Sequence, residues 1–168
     1  YKVMINSYDQ ANIKWTYSGL ADTSIVRLYK SEGGEFIDTQ FIDYIFYDDH
    51  GNATMQEVTR YYDEAGTYII DTKEIETIYN FGRERQMGIA ASSSIITYDR
   101  YNILVKREDI NYVDSDIYGN STLQQITTSS DELGDNVISF KVLQNTYSVG
   151  VNGLKGLADT TSISNYIS

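Results

Sequence analysis

Apolar and polar residues alternate in short runs along the chain, and no long stretch holds a 3.6-residue period. Period-2 runs predict strands. They fall at Lys2–Ser7, Asn12–Tyr17, Ser24–Lys30, Glu35–Phe41, Tyr44–Tyr47, Thr67–Asp71, Glu74–Asn80, Gln86–Ala91, Tyr101–Arg107, Thr122–Thr127, Val137–Leu143 and Thr146–Val151. Ile13, Trp15 and Tyr17 share one face of their run, and Val26, Leu28 and Lys30 oppose Ile25, Arg27 and Tyr29. One face of each sheet is therefore expected in the core and the other wet. Between the runs stand clusters of Gly, Asn, Asp and Ser with hairpin chemistry. These are Ser31-Glu32-Gly33-Gly34, Asp48-Asp49-His50-Gly51-Asn52, Tyr118-Gly119-Asn120-Ser121, the two-residue link Gln144-Asn145, and Asn152-Gly153. Asp131–Asp135 reads as a polar turn, and Ser92-Ser93-Ser94 as a loop. Thr54–Glu64 is open to two readings. It is a strand, or a short helix or bent connection opened by the capping pair Thr54 and Glu57, with Met55, Val58 and Tyr62 on its inner face.

The pattern predicts an all-β, antiparallel sandwich with at most one or two short helices, as one composite domain or two small ones. With 168 residues, either arrangement can bury a core. The polar stretch Asp71–Glu76 is the best boundary, giving domains over residues 1–75 and 76–168. A start at Tyr1 without methionine leaves a processed product, a fragment or part of a longer chain open.

Composition narrows the chemistry. Thirteen Lys and Arg against 24 Asp and Glu give a net charge of −11, which argues against nucleic acid and against docking on anionic lipid. No apolar run is long enough to insert in a membrane as a helix. With no cysteine, disulfides, thiol catalysis, iron–sulfur clusters and thiolate zinc sites are excluded. His50 is the single histidine, so multi-histidine metal sites are excluded too. No cofactor is implied. There are 16 tyrosines and no proline. Tyrosine fits a half-buried pleated surface with its hydroxyl in water. The lack of proline removes one device that blunts edge strands.

Two family resemblances follow. Ile13-Lys14-Trp15, Ile25–Ser31, the hairpin Gly33-Gly34-Glu35-Phe36 and the corner Glu64-Ala65-Gly66-Thr67-Tyr68 resemble a fibronectin type III or immunoglobulin-like sandwich over the first half. Tyr98–Val105, Ser121-Thr122-Leu123, Val137–Val142 and Asn145–Gly153 are similar to part of a concanavalin-like or laminin G-like jelly roll, with Gln86–Ala90 as an inner strand. The second resemblance implies a sandwich that the first half or another chain completes.

The candidate chemistry is sparse. Glu74 and Glu76 point to one face of a strand, as paired glycosidase carboxylates would. The stretch lacks the central Asp and final Glu of the jelly-roll glycosidases, and a solvated face is the simpler reading. Asp114, Asp116, Gly119 and Asn120 offer oxygen ligands but too few for calcium, as do Asp43, Asp48, Asp49 and Asn52. His50 has acidic neighbours but no nucleophile elbow. Asn52-Ala53-Thr54 and Asn120-Ser121-Thr122 are glycosylation sequons. Arg83-Glu84-Arg85 is a mixed-charge surface turn. Tyr112 and Tyr118 flank Asp114 and Asp116, so these four with Asn120 are the first choice for a sugar or partner contact. Filling strand faces and subunit interfaces is the plainer use of tyrosine.

The expectation is a non-enzymatic structural subunit of an exterior assembly, a phage or virus appendage or an extracellular surface fibre. Its partners would be copies of itself or neighbouring structural proteins. The alternative is a carbohydrate-binding or adhesion module that meets a cell-surface glycan.

Overall fold

The computed structural model describes residues 1–8, 19–147 and 156–167. The runs around Asn12–Tyr17 and Asn152-Gly153 lie outside these. Ten strands and one helical turn follow in order among the described residues. They are β1 (Lys2–Ser7), β2 (Thr23–Tyr29), β3 (Phe36–Tyr47), β4 (Ala53–Tyr61), β5 (Ile69–Tyr79), α1 (Arg83–Gln86), β6 (Ala90–Asp99), β7 (Leu104–Ser115), β8 (Ser121–Ser129), β9 (Val137–Thr146) and β10 (Thr160–Ile167). They form an antiparallel sheet in which each strand neighbours the next in sequence. The all-β expectation holds, with a single four-residue helix among the described residues.

The chain divides into two compact units, residues 1–76 with 96–105, and 77–95 with 106–168. The stretch Asp71–Glu76 lies inside β5, paired with β4.

Several local readings are corrected. Thr54–Glu64 is strand, not helix, through Tyr61, because Met55–Tyr61 pairs on one side with β3 and on the other with β5. Gln144-Asn145 is not a turn. Both residues sit in β9 and pair with Ser162 and Thr161 of β10. Ser92-Ser93-Ser94 is not a loop but part of β6. Gln86 closes α1, so the strand expected from Gln86 starts only at Ala90. Thr67–Asp71 and Glu74–Asn80 merge into β5.

Expected dry faces are scarce. Val26 is the one apolar side chain that is buried among the described residues. The other buried positions are small or polar. In the first unit they are Ser24, Asp38, Thr39, Thr59 and Thr97, and in the second Ser93 and Ser129. Four of these hydroxyls have partners, whereas Thr39 Oγ1 and Thr97 Oγ1 have none among the described residues. Ser24 donates to Asn6 at 2.7 Å, Thr59 meets Thr72 at 3.4 Å, Thr77 meets Ser93 at 3.1 Å, and Ser129 donates to the Gly134 carbonyl at 3.2 Å. Aromatic rings also pair along and across strands. Tyr44 stacks on Tyr47 with centroids 5.6 Å apart, and Phe140 lies 5.9 Å from Tyr166. Such pairs add ~0.5–1.5 kcal/mol beyond their area. Tyr47 donates to the Ala21 carbonyl at 2.6 Å. Burial, then Tyr44, Asp22 and Tyr8, push its phenol up to about 12.

The strongest polar feature of the first unit crosses three strands. Arg60 of β4 opposes Asp71 of β5 and gives it two hydrogen bonds, Nε at 3.2 Å and Nη2 at 2.5 Å. Its Nη1 lies 4.0 Å from Oδ2 of Asp38 on β3. In the second unit Arg107 grips Asp109 through Nε and Nη2 and donates from Nη1 to the Glu132 carbonyl. That ties β7 to the β8–β9 turn.

Candidate functional site

One turn design recurs five times among the described residues, and sequence reading missed it as a repeat. An aspartate stands at the strand end or within two residues beyond it, two residues form the tip, and the fourth takes a left-handed conformation. The sequences are Asp48-Asp49-His50-Gly51, Asp63-Glu64-Ala65-Gly66, Asp99-Arg100-Tyr101-Asn102, Asp116-Ile117-Tyr118-Gly119 and Asp131-Glu132-Leu133-Gly134. The fourth residues have φ of +84°, +71°, +60°, +85° and +83°, which explains four glycines and one asparagine. In each, Oδ1 of the aspartate accepts from backbone N–H groups of the loop. At Asp48 the donors are His50 and Asn52, at Asp63 Thr67 and Tyr68, and at Asp99 Tyr101 and Ile103. At Asp116 they are Tyr118 and Asn120, and at Asp131 Leu133 and Asp135. The recurring Asp-x-x-Gly spacing was the available signal. The frame fixes the backbone and leaves the two tip residues to vary.

The turns also carry pH dependence. Asp63 is held below the usual carboxylate range, chiefly by the Tyr68 N–H, and Asp131 chiefly by the Asn136 N–H. At Asp116 burial pushes upward, but hydrogen bonds from the Asn120 side chain and from loop N–H groups outweigh it. Each folded value lies below the unfolded one near ~3.9, so the stabilisation is full well above that pH and is lost as pH falls through the folded values. Asp131→Asn should therefore flatten the acid limb. Its urea midpoint should drop less between pH 7 and pH 3 than that of the parent chain. Equal drops would exclude Asp131 as one of the titrating groups.

In the second unit, the β5–β6 connection and the β7–β8 turn enclose a cleft of about 470 Å³. Tyr112, Asp114 and Tyr118 line it, with Asn80, Glu84 and Ile89 from the other side. Three of the five sequence-chosen residues are thus brought together. The other two, Asp116 and Asn120, build the turn instead. Oδ2 of Asp116 accepts from Asn120 Nδ2 at 2.8 Å, and Oδ1 is occupied by backbone donors. Asp114 stands at the rim and accepts from the Ser115 N–H at 2.9 Å. Sequence reading missed Asn80 and Glu84, which only the topology brings beside the turn. The cleft offers tyrosine rings, carboxylates, an amide and hydroxyls. That set suits a polyhydroxylated ligand more than an anion.

The remaining candidates are dispersed. Glu74 and Glu76 are exposed on β5, opposite Glu57 and Met55. His50 is an exposed turn tip. Asp43 faces Glu57 across β3 and β4, and Asp48 is spent on its own turn, including Asn52 Nδ2 at 3.0 Å. Both sequon asparagines, Asn52 and Asn120, donate their amides to turn aspartates. No helix among the described residues is long and apolar enough to cross a membrane.

No protein family, no curated protein and no solved structure matches the chain.

Proposed function

We propose that the chain is a non-enzymatic structural subunit of an exterior assembly, a virion or phage appendage or an extracellular fibre. Its contacts would run through strands and aromatic faces to other copies of itself or to neighbouring structural proteins. The observation that carries this is β10. It pairs with β9 alone among the described residues, is exposed along its whole length, and holds neither charge nor proline. Ile163, Tyr166 and Ile167 stand open on it. An unguarded edge strand is a template for pairing with another chain. The scarcity of buried apolar side chains supports the same reading, because exposed apolar surface seeks burial in assembly. The finer likeness to fibronectin type III or laminin G-like modules has only antiparallel hairpins behind it, and the reading does not need it.

Light scattering on the purified chain, with negative-stain images of the same sample, tests this. The expected result is a defined oligomer, ring or fibre that Ile163→Lys shifts towards monomer. A clean monomer at all concentrations counts against it. The cleft at Tyr112, Asp114 and Tyr118 favours a second reading, a carbohydrate-binding or adhesion module. Under that reading Tyr112→Ala and Tyr118→Ala abolish capture on a glycan array.

A further inference from the structure

A second cleft, in the first unit, has different chemistry. It lies between the Asp63 and Asp99 turns and is lined by Tyr62, Thr67, Tyr68, Ile69, Arg100 and Tyr101. Its volume is about 520 Å³, within the ~300–1,000 Å³ of small-ligand clefts. Tyr62, Tyr68 and Tyr101 are 63%, 68% and 67% exposed. Three large rings so open, gathered at one place, exceed the single scattered apolar residues that a protein surface normally shows.

Arg100 sets the sign of the ligand. Its guanidinium lies 4.7 Å over the Tyr101 ring, and stacking of this kind orients the planar fork. It is exposed and has no ion pair among the described residues. None of the lining residues is acidic. The two nearby aspartates, Asp63 and Asp99, have Oδ1 occupied by loop N–H groups. Other cations, Lys73 and Lys141 among them, likewise have no ion pair among the described residues, but Arg100 is the one that lines this cleft. The recurring turn sharpens the point. The same frame carries Asp49-His50, Glu64-Ala65, Ile117-Tyr118 and Glu132-Leu133 at its other tips. Only the Asp99 turn places a guanidinium and an aromatic ring side by side. Loops on a fixed scaffold are where binding residues concentrate.

We infer that this cleft binds an acidic saccharide, through a pyranose that bears a carboxylate. Tyrosine faces stack on the C–H face of the sugar, and their hydroxyls and that of Thr67 meet its hydroxyls. The Arg100 fork takes the carboxylate through two parallel hydrogen bonds. An acidic peptide fits less well, since Ile69 is the one aliphatic side chain available to hold it. The inference goes beyond the structural role and is tested apart from it, because the cleft lies in the first unit and the edge strand β10 in the second.

Titration of the intact chain followed by amide and side-chain NMR tests it, with sodium glucuronate, glucose, sodium acetate and tri-glutamate as probes. Glucuronate should shift the resonances of Tyr68, Arg100 and Tyr101. It should bind about tenfold more tightly than glucose, the worth of one charge-assisted contact of about 1.4 kcal/mol, and acetate should leave the spectrum unchanged. Arg100→Gln should bring glucuronate down to the level of glucose. Arg100→Lys should fall between, since it keeps charge and loses the fork. Arg100 is exposed, so neither variant should move the urea midpoint. The inference is overturned by equal binding of glucuronate and glucose, by no shift at this cleft, or by shifts confined to Tyr112 and Tyr118. Tighter binding of tri-glutamate than of glucuronate overturns it in favour of a peptide ligand.

Discussion

Arg60→Met should lower the stability of the first unit by about 2–3 kcal/mol, read as a fall in the urea midpoint at pH 7. The guanidinium stands between Asp38 and Asp71, whose side chains are only 10% and 17% exposed. Removing it leaves two part-buried carboxylates without a counter-charge. Breaking a fully buried pair costs ~3–5 kcal/mol, and Arg60 keeps a wet edge, which moderates the loss. Arg60→Lys should cost less than Arg60→Met, because the charge survives while the fork is lost. The decisive comparison is a triple change, Asp38→Leu, Arg60→Met and Asp71→Leu. If uncompensated charge is the cause, the triple variant recovers most of the midpoint. If the single and triple variants are equally weak, packing of the Arg60 stem is what the fold requires.

The same cluster marks where sequence reading stopped. Asp38, Arg60 and Asp71 are unremarkable in their own runs, and only the β3–β4–β5 register aligns them. Turns were legible because their chemistry is local. Asp48–Asn52, Tyr118–Ser121 and Asp131–Asp135 are turn regions in the structure as in the sequence. Asn145 misled for an instructive reason. Asparagine favours turns because its amide satisfies nearby backbone. Here distant partners take that capacity instead. Its Nδ2 donates to the Ser121 carbonyl, and its Oδ1 accepts from Thr161. Ser93 is similar, with its hydroxyl held by Thr77. Thr54–Glu64 stayed open because Met55, Val58 and Tyr62 satisfy a helical stripe, and pairing on both sides decided for strand. At the cleft, Tyr112, Asp114 and Tyr118 lie close in the chain and were found together. Glu84 comes from a connection far off in sequence, so no spacing could reveal it.

Gly119 joins the turn frame to that cleft, and its replacement by valine should show both effects at once. At φ +85° a residue with a Cβ is strained, and a Cβ here would lie 3.0 Å from Ile89 Cδ1 and 3.1 Å from Cγ1. The left-handed conformation costs roughly 1–2 kcal/mol, and forcing Ile89 aside adds roughly 1–3 kcal/mol. Gly119→Val should therefore lower the stability of the second unit by about 2–5 kcal/mol. The chain supplies its own control at Asn102, which holds the same place in its turn at φ +60°. Gly66→Asn, where a new Cβ meets nothing nearer than 3.9 Å, should cost under about 1 kcal/mol, since asparagine tolerates this conformation. Because Ile89 lines the cleft beside Tyr118, the valine should also shift the Tyr112 and Tyr118 ring resonances, which Gly66→Asn leaves in place. Equal costs for the two variants would mean that backbone strain alone sets the penalty. A large loss of stability with unmoved tyrosine signals would separate the turn from the cleft it borders.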